Sequence, residues 1–506
     1  MSSQNHLVAA LRASSEGREE ALFARTSAGE TLSYGAFFAG AEKMAAALAG
    51  LGVSPGDRVA VQIDKSLEAL QLYVGAVMAG GVFLPLNTGY TAAEVEYFLT
   101  DAAPKVAVCD PQKHEALSPV AAKAGVAHLM TLDGAGAGTL RDAANAAETG
   151  FAALPRGADD LAAILYTSGT TGRSKGAMMS HRNLASNAST LASLWGFTRD
   201  DILIHALPIF HTHGLFVATN VTLMSGCALH FMAKFDADEI LAAMPTATAL
   251  MGVPTFYTRL LKAPELAGAS RNMRLFISGS APLLAETHDQ WRAATGHAIL
   301  ERYGMTEMNM ITSNPLDGDR RAGTAGFPLP GVEVTITNPE SGDAITDGEP
   351  GVIEVRGPNV FSGYWNMPEK TKEELRENGF FITGDIAVKD DSGYVSIVGR
   401  AKDLIISGGY NVYPKEIELL IDDVDGVLES AVVAAPHPDF GEAVVAVVVP
   451  EADGSVDVAS VEAATSAGLA RFKQPKHIEL APELPRNTMG KVQKNVLREQ
   501  FRSLFS

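Results

Sequence analysis

Residues 165–181 read LYTSGTTGRSKGAMMSH. A strand-like run closes at Tyr166. Six small residues follow (Thr167, Ser168, Gly169, Thr170, Thr171 and Gly172), and then Lys175. Residues without bulky side chains let backbone N–H groups converge on an oxyanion, and the hydroxyls add donors. Lys175 adds a point charge. A Walker loop would need Gly-x4-Gly-Lys-Ser/Thr, but with four residues between them Gly169 is followed by Ser174. The stretch therefore reads as an anion-binding loop of another kind, at the end of a buried strand.

Similar strand-like runs occur at 57–63, 105–110, 248–253 and 274–279. Alanine-rich stretches of helical spacing separate them, such as AFFAGAEKMAAALAGLG at 36–52. This alternation predicts α/β layers with largely parallel sheets. After about residue 325 the character changes. Residues 331–357 look like strands joined by Gly, Pro and Asp turns, and the last hundred residues form an α+β pattern of their own. The predicted fold is α/β: a large N-terminal domain (1–401) with a small β unit, then a small mobile α+β lid (402–506).

A chain of 506 residues, 46% hydrophobic, can bury more than one core. Forty basic against fifty-nine acidic residues give a net charge of −19, which argues against nucleic acid or an anionic membrane as partner. Cys109 and Cys227 allow neither a disulfide framework nor a zinc site. The N-terminal residues lack a signal-peptide pattern, and the most apolar run, 443–450, is too short to span a bilayer. A soluble protein of the reducing cytoplasm is expected.

The 165–181 stretch resembles the signature of the adenylate-forming superfamily, which includes acyl-CoA synthetases. The resemblance recurs in order along almost the whole chain: FISGSAPL (276–283), YGMTE (303–307), TGD (383–385), GRAKDLIISGGYNVYPKEIE (399–418) and LPRNTMGKVQK (484–494). It implies ATP and coenzyme A as co-substrates, with magnesium. Thr167, Ser168, Gly169, Thr170, Thr171, Gly172 and Lys175 would hold the β- and γ-phosphates. Gly279, Ser280, Ala281 and Tyr303 would form the adenine slot, and Asp385 with Arg400 would bind the ribose. Thr306 would meet the α-phosphate and Glu307 would ligate magnesium, a cation that takes oxygen donors. Lys491 would be the adenylation lysine, and a candidate for control by a lysine acetyltransferase. Lys402 would be the hinge of lid rotation, with Gly408 and Gly409 on the coenzyme A side.

LPIFHTHGLF (207–216) holds His211 and His213. A His-x-His pair can serve a metal, but no third ligand stands at a recognisable spacing. The resemblance puts His211 near the acyl pocket, and His213 is read as structural. Arg302, directly before YGMTE, is the unusual residue: a guanidinium there suits an acid with a second carboxylate, although an ion pair with Glu301 would also account for it. ERYGMTE, HALPIFHTHGLF and LPRNTMGKVQKNVLRE together resemble malonyl-CoA synthetases. The implied reaction joins malonate to coenzyme A through malonyl-AMP, with some activity on methylmalonate. Another short mono- or dicarboxylic acid, or a carrier protein in place of coenzyme A, is the alternative.

Overall fold

The computed structural model describes residues 4–167, 174–338, 341–345, 348–407, 410–452, 454–487 and 490–505. Ser168, Gly169, Thr170, Thr171 and Gly172 of the phosphate loop, and Gly408 and Gly409, lie outside the described residues. By compactness the chain divides into two units, residues 1–333 with 356–381 and residues 334–355 with 382–506. Lys402, the expected hinge, lies inside the second unit by this division.

Two sheets build the first unit. One has six strands in the order His128–Thr131, Val106–Cys109, Arg58–Gln62, Val82–Pro85, Leu161–Thr167, Lys175–Ser180. The first five run parallel and the last pair is antiparallel. Strands such as Val82–Pro85 are buried along their whole length, as expected where helices cover both faces. Helices Tyr34–Gly50 and Leu67–Met78 pack closely because Gly75 lacks a side chain. A Cβ there would meet the Ala41 carbonyl at 2.6 Å. Ser33 and Ser66 cap these helices by accepting the N–H of Ala36 and Ala69.

The second sheet has nine strands. Its parallel centre runs Leu300–Met305, Leu275–Ser278, Ala249–Gly252, Ile202–His205, Ala228–Phe231, Leu22–Thr26. Antiparallel strands Asn309–Ser313 and Thr31–Ser33 adjoin its two ends. The strand Leu300–Met305 runs into YGMTE, and its alternation sends Glu301 and Arg302 to opposite faces.

The second unit holds a four-stranded sheet in the order Glu333–Thr337, Gly351–Arg356, Phe381–Lys389, Val395–Arg400. It also holds a sheet built on the long hairpin Val427–His437 and Gly441–Pro450. Helix Pro414–Asp422 buries Ile417 and Ile421 in a core with Val432, Val444 and Val448. Among the described residues, no helix is long and apolar enough to cross a membrane.

Candidate active site

Arg302 is the centre of the first group of site residues. It is 6% exposed, and its Nε and Nη2 have no hydrogen-bond partner among the described residues. Glu301 does not pair with it, contrary to one expectation from sequence. That carboxylate accepts from the Gly323 N–H at 3.0 Å and faces His288 Nδ1 at 3.4 Å. Burial without a counter-ion pulls the Arg302 pKa down to about 9, with Tyr257 opposing. An unpartnered buried cation is costly, and an anion bound beside it would compensate that cost.

Gly279 makes room for this guanidinium, since a Cβ at that position would meet Arg302 Cζ at 2.3 Å. A residue expected in the adenine slot is thus also the surface against which Arg302 lies. Ser280, next along, is held at φ +70°, and its Oγ lies 3.3 Å from His213 Nδ1. His213 is 1% exposed and its Nε2 has no partner. Burial first, and then the charge of Arg302, hold its imidazole well below the usual pKa. The sequence reading set His213 aside as structural; the fold instead gives it an unused ring nitrogen within the influence of Arg302. His211 is half-buried, just ahead of the π-helix His213–Thr219, and its Nδ1 accepts from the His213 N–H at 3.4 Å.

A second group surrounds Lys175. Thr167 and Lys175 are register partners across the antiparallel pair. Lys175 Nζ donates to Glu374 Oε2 at 3.1 Å, to Glu374 Oε1 at 3.2 Å and to the Tyr364 hydroxyl at 3.1 Å. It also lies 4.2 Å from the centre of the Tyr364 ring. The Tyr364 hydroxyl is 2.6 Å from Glu374 Oε2 and 2.9 Å from Glu307 Oε1. One phenolic proton thus stands between two carboxylates. Burial raises the Glu307 pKa, whereas at Glu374 the Tyr364 hydroxyl, Lys370 and Lys175 outweigh burial and lower it. Neither Tyr364 nor Glu374 was singled out from sequence. The GYWN turn at 363–366 was the available signal.

Tyr303 and Thr306 are half-buried, at and just beyond the strand that carries Arg302. Ala281 is likewise half-buried. Among the described residues, no cluster of three or more His, Cys, Asp or Glu could hold a metal. Glu307, 5% exposed, is a single oxygen donor, which fits a magnesium that keeps waters and arrives on phosphates.

Within the second unit, Asp385 and Arg400 face each other in the register of their strands, with Arg400 Nε 2.9 Å from Asp385 Oδ1. Lys402 is exposed in the short turn Ala401–Asp403. Lys491 is exposed, and its backbone N–H donates to Asn487 Oδ1 at 3.0 Å.

Two family descriptions match the chain: "AMP-binding enzyme" over residues 11–365 and "AMP-binding enzyme C-terminal domain" over residues 416–491. Among curated relatives, a malonate–CoA ligase of Arabidopsis thaliana is 36% identical over 89% of this chain and 79% of its own length. A feruloyl-CoA synthase of an Amycolatopsis species is 35% identical over 94% of each chain. Among solved structures, ATP-bound MatB from Rhodopseudomonas palustris superposes with a TM-score of 0.97 at 57% identity. That match covers 99% of this chain and 100% of that one. With its signature loop, its Lys175 network and its strand-borne Arg302 in the matched region, the chain belongs to the AMP-binding enzymes, as an AMP-forming acid–CoA ligase.

Proposed function

We infer that this chain joins malonate to coenzyme A through malonyl-AMP, releasing AMP and pyrophosphate. The observation that carries the reading is Arg302, a buried cation with two unpartnered nitrogens seated against Gly279. A monocarboxylic acid would leave that charge uncompensated. The far carboxylate of malonate would satisfy it, and a planar guanidinium can grip a carboxylate through two bonds without losing its charge. His213 Nε2 supplies one further polar atom near that carboxylate, and His211 borders the same pocket. The malonate–CoA ligase of Arabidopsis thaliana supports the same assignment.

Attack of a carboxylate on the ATP α-phosphate brings anion to anion, so the protein's task is positioning and charge neutralisation. Thr167, the loop 168–172 and Lys175 would hold the departing pyrophosphate. Thr306 would steady the α-phosphate, while Gly279, Ser280, Ala281 and Tyr303 would flank the adenine. Asp385 and Arg400 would serve the ribose. Magnesium, when bound at Glu307, would neutralise phosphate charge. Lys491 would supply the cation for adenylation, and rotation about Lys402 would exchange it for the Gly408–Gly409 side during thioester formation. A lysine acetyltransferase acting on Lys491 would switch the first step off by removing its charge. A cytoplasmic setting suits the two buried, free cysteines Cys109 and Cys227.

The test is a pyrophosphate-release screen across acetate, propionate, butyrate, malonate, methylmalonate and succinate with coenzyme A present. Malonate should give the highest kcat/KM, with methylmalonate next. Preference for a monocarboxylic acid would overturn the assignment.

A further inference from the structure

The mechanism above does not use one pair in the first unit, the half-buried Lys65 and the buried His205. Lys65 directly precedes Ser66, the cap of helix Leu67–Met78, and His205 ends the strand Ile202–His205. Lys65 Nζ donates to the His205 carbonyl at 2.8 Å and lies 3.1 Å from His205 Nδ1. It also stands 4.5 Å from the centre of the Phe231 ring. His205 is fully buried, and its Nε2 is 2.9 Å from the Gly214 carbonyl.

These contacts choose one tautomer. Nε2 lies 2.9 Å from the Gly214 carbonyl, which only accepts, and 3.3 Å from Thr219 Oγ1, which itself donates to that carbonyl; Nε2 therefore carries the proton, and Nδ1 of the neutral ring is left to accept from Lys65. Burial, and then the charge of Lys65, keep the ring neutral by lowering its pKa well below the usual value. The carbonyl it holds sits in the first turn of the π-helix His213–Thr219, where the Thr219 hydroxyl also donates to it at 3.0 Å. π-Helical turns are rare and recur at functional sites. Gly214 itself has no room for a side chain, since a Cβ there would meet the Pro208 carbonyl at 2.1 Å. The residue before it is His213, with its unused Nε2 near Arg302.

We propose that Lys65 is a positioning residue for acid selection. It locks His205 as the Nε2–H tautomer, whose N–H pins the Gly214 carbonyl and so fixes His213 beside Arg302 for the far carboxylate of the substrate. Lys65 touches no substrate in this scheme and acts through His205 alone. The proposal rests on the malonate reading above.

Two measurements test it. In full-length protein labelled with ¹⁵N-histidine, the His205 signal, assigned by its loss in His205→Gln, should report Nε2–H. An Nδ1–H tautomer would overturn the proposal without requiring any Lys65 variant to fold. Then Lys65→Met, which keeps the stem, should lower kcat/KM for malonate about ten- to hundredfold, the scale of a small remote misplacement. Propionate, which brings no far carboxylate, should lose less than twofold, and the KM for ATP should hold. Lys65→Arg, which keeps the donors, should restore most of the malonate activity. Equal losses for both acids, or no loss for malonate, would reduce Lys65 to a packing role. If the unaltered enzyme failed to turn malonate over at all, the malonate reading itself would be what fell.

Discussion

Lys175 and Arg302 are both cations assigned to anion binding, and the fold treats them in opposite ways. Lys175 has two carboxylate oxygens, a phenol and an aromatic face around it. Arg302 has a glycine backbone against it and two nitrogens without partners. The first is a charge already satisfied within the protein, which phosphate must share or displace. The second is a charge held at a cost until substrate arrives. Under the proposed roles, the unsatisfied cation would set selectivity for the acid and the satisfied one the threshold for ATP.

The largest effect should come from Arg302→Ala. Removing one member of a buried charge pair costs roughly 3–5 kcal/mol, or about 10²–10⁴ in kcat/KM for malonate. Propionate should lose nothing and the KM for ATP should stay within about twofold. Equal losses for both acids would break the comparison, because Arg302 would then be holding its strand rather than a carboxylate.

Lys491→Ala should come next. ATP–pyrophosphate exchange driven by malonate should fall about 10²–10³-fold, the cost of removing one donor from a developing anion. Thioester formation from supplied malonyl-AMP should persist. Loss of both half-reactions in a folded protein would contradict the two-step use of the lid.

Glu374→Gln tests the satisfied cation. With its counter-charge gone, Lys175 should be freer for phosphate, and the KM for ATP should fall about tenfold, the scale of one charge-assisted hydrogen bond. The KM for malonate should not change. A rise in the KM for ATP would mean that Glu374 aims Lys175 at the phosphates and does not compete with them.

How much of this was legible in the sequence follows from which interactions are local. Strands such as 58–62 and 275–278 were predicted to within a residue or so, because buried parallel strands are written as short apolar runs. Arg302 stood out because a charge so soon after the apolar run Ala298-Ile299-Leu300 is locally improbable. Its lack of a partner could not be read, since Glu301 is adjacent in sequence yet on the other face of the strand. Glu374 reaches Lys175 across 199 positions, and Lys65 reaches His205 across 140. No periodicity encodes such pairs. The surroundings of His213 could not be read for the same reason: Ser280 and Arg302 come from segments distant in sequence.

The smallest effect expected is also the most direct reading of the contrast, because it needs no catalysis. Arg302→Met removes a buried charge and keeps most of the apolar stem. Desolvating an ion costs several kcal/mol, and replacing buried charge with apolar groups of similar volume is often stabilising. The side chain is 6% exposed and makes no bond through Nε or Nη2, so little is lost in exchange. Without substrate, the variant should therefore be more stable than the parent by about 1 kcal/mol, seen as a higher Tm. Lys175→Met should do the reverse, because it takes one of two cations away from Glu374, which faces the Tyr364 hydroxyl and keeps Lys370 at 3.0 Å. Saturating malonate should then raise the Tm of the parent, by linkage to binding, and leave Arg302→Met unmoved. A destabilised Arg302→Met would mean that the guanidinium has support in the empty pocket, and the two cations would differ only in degree.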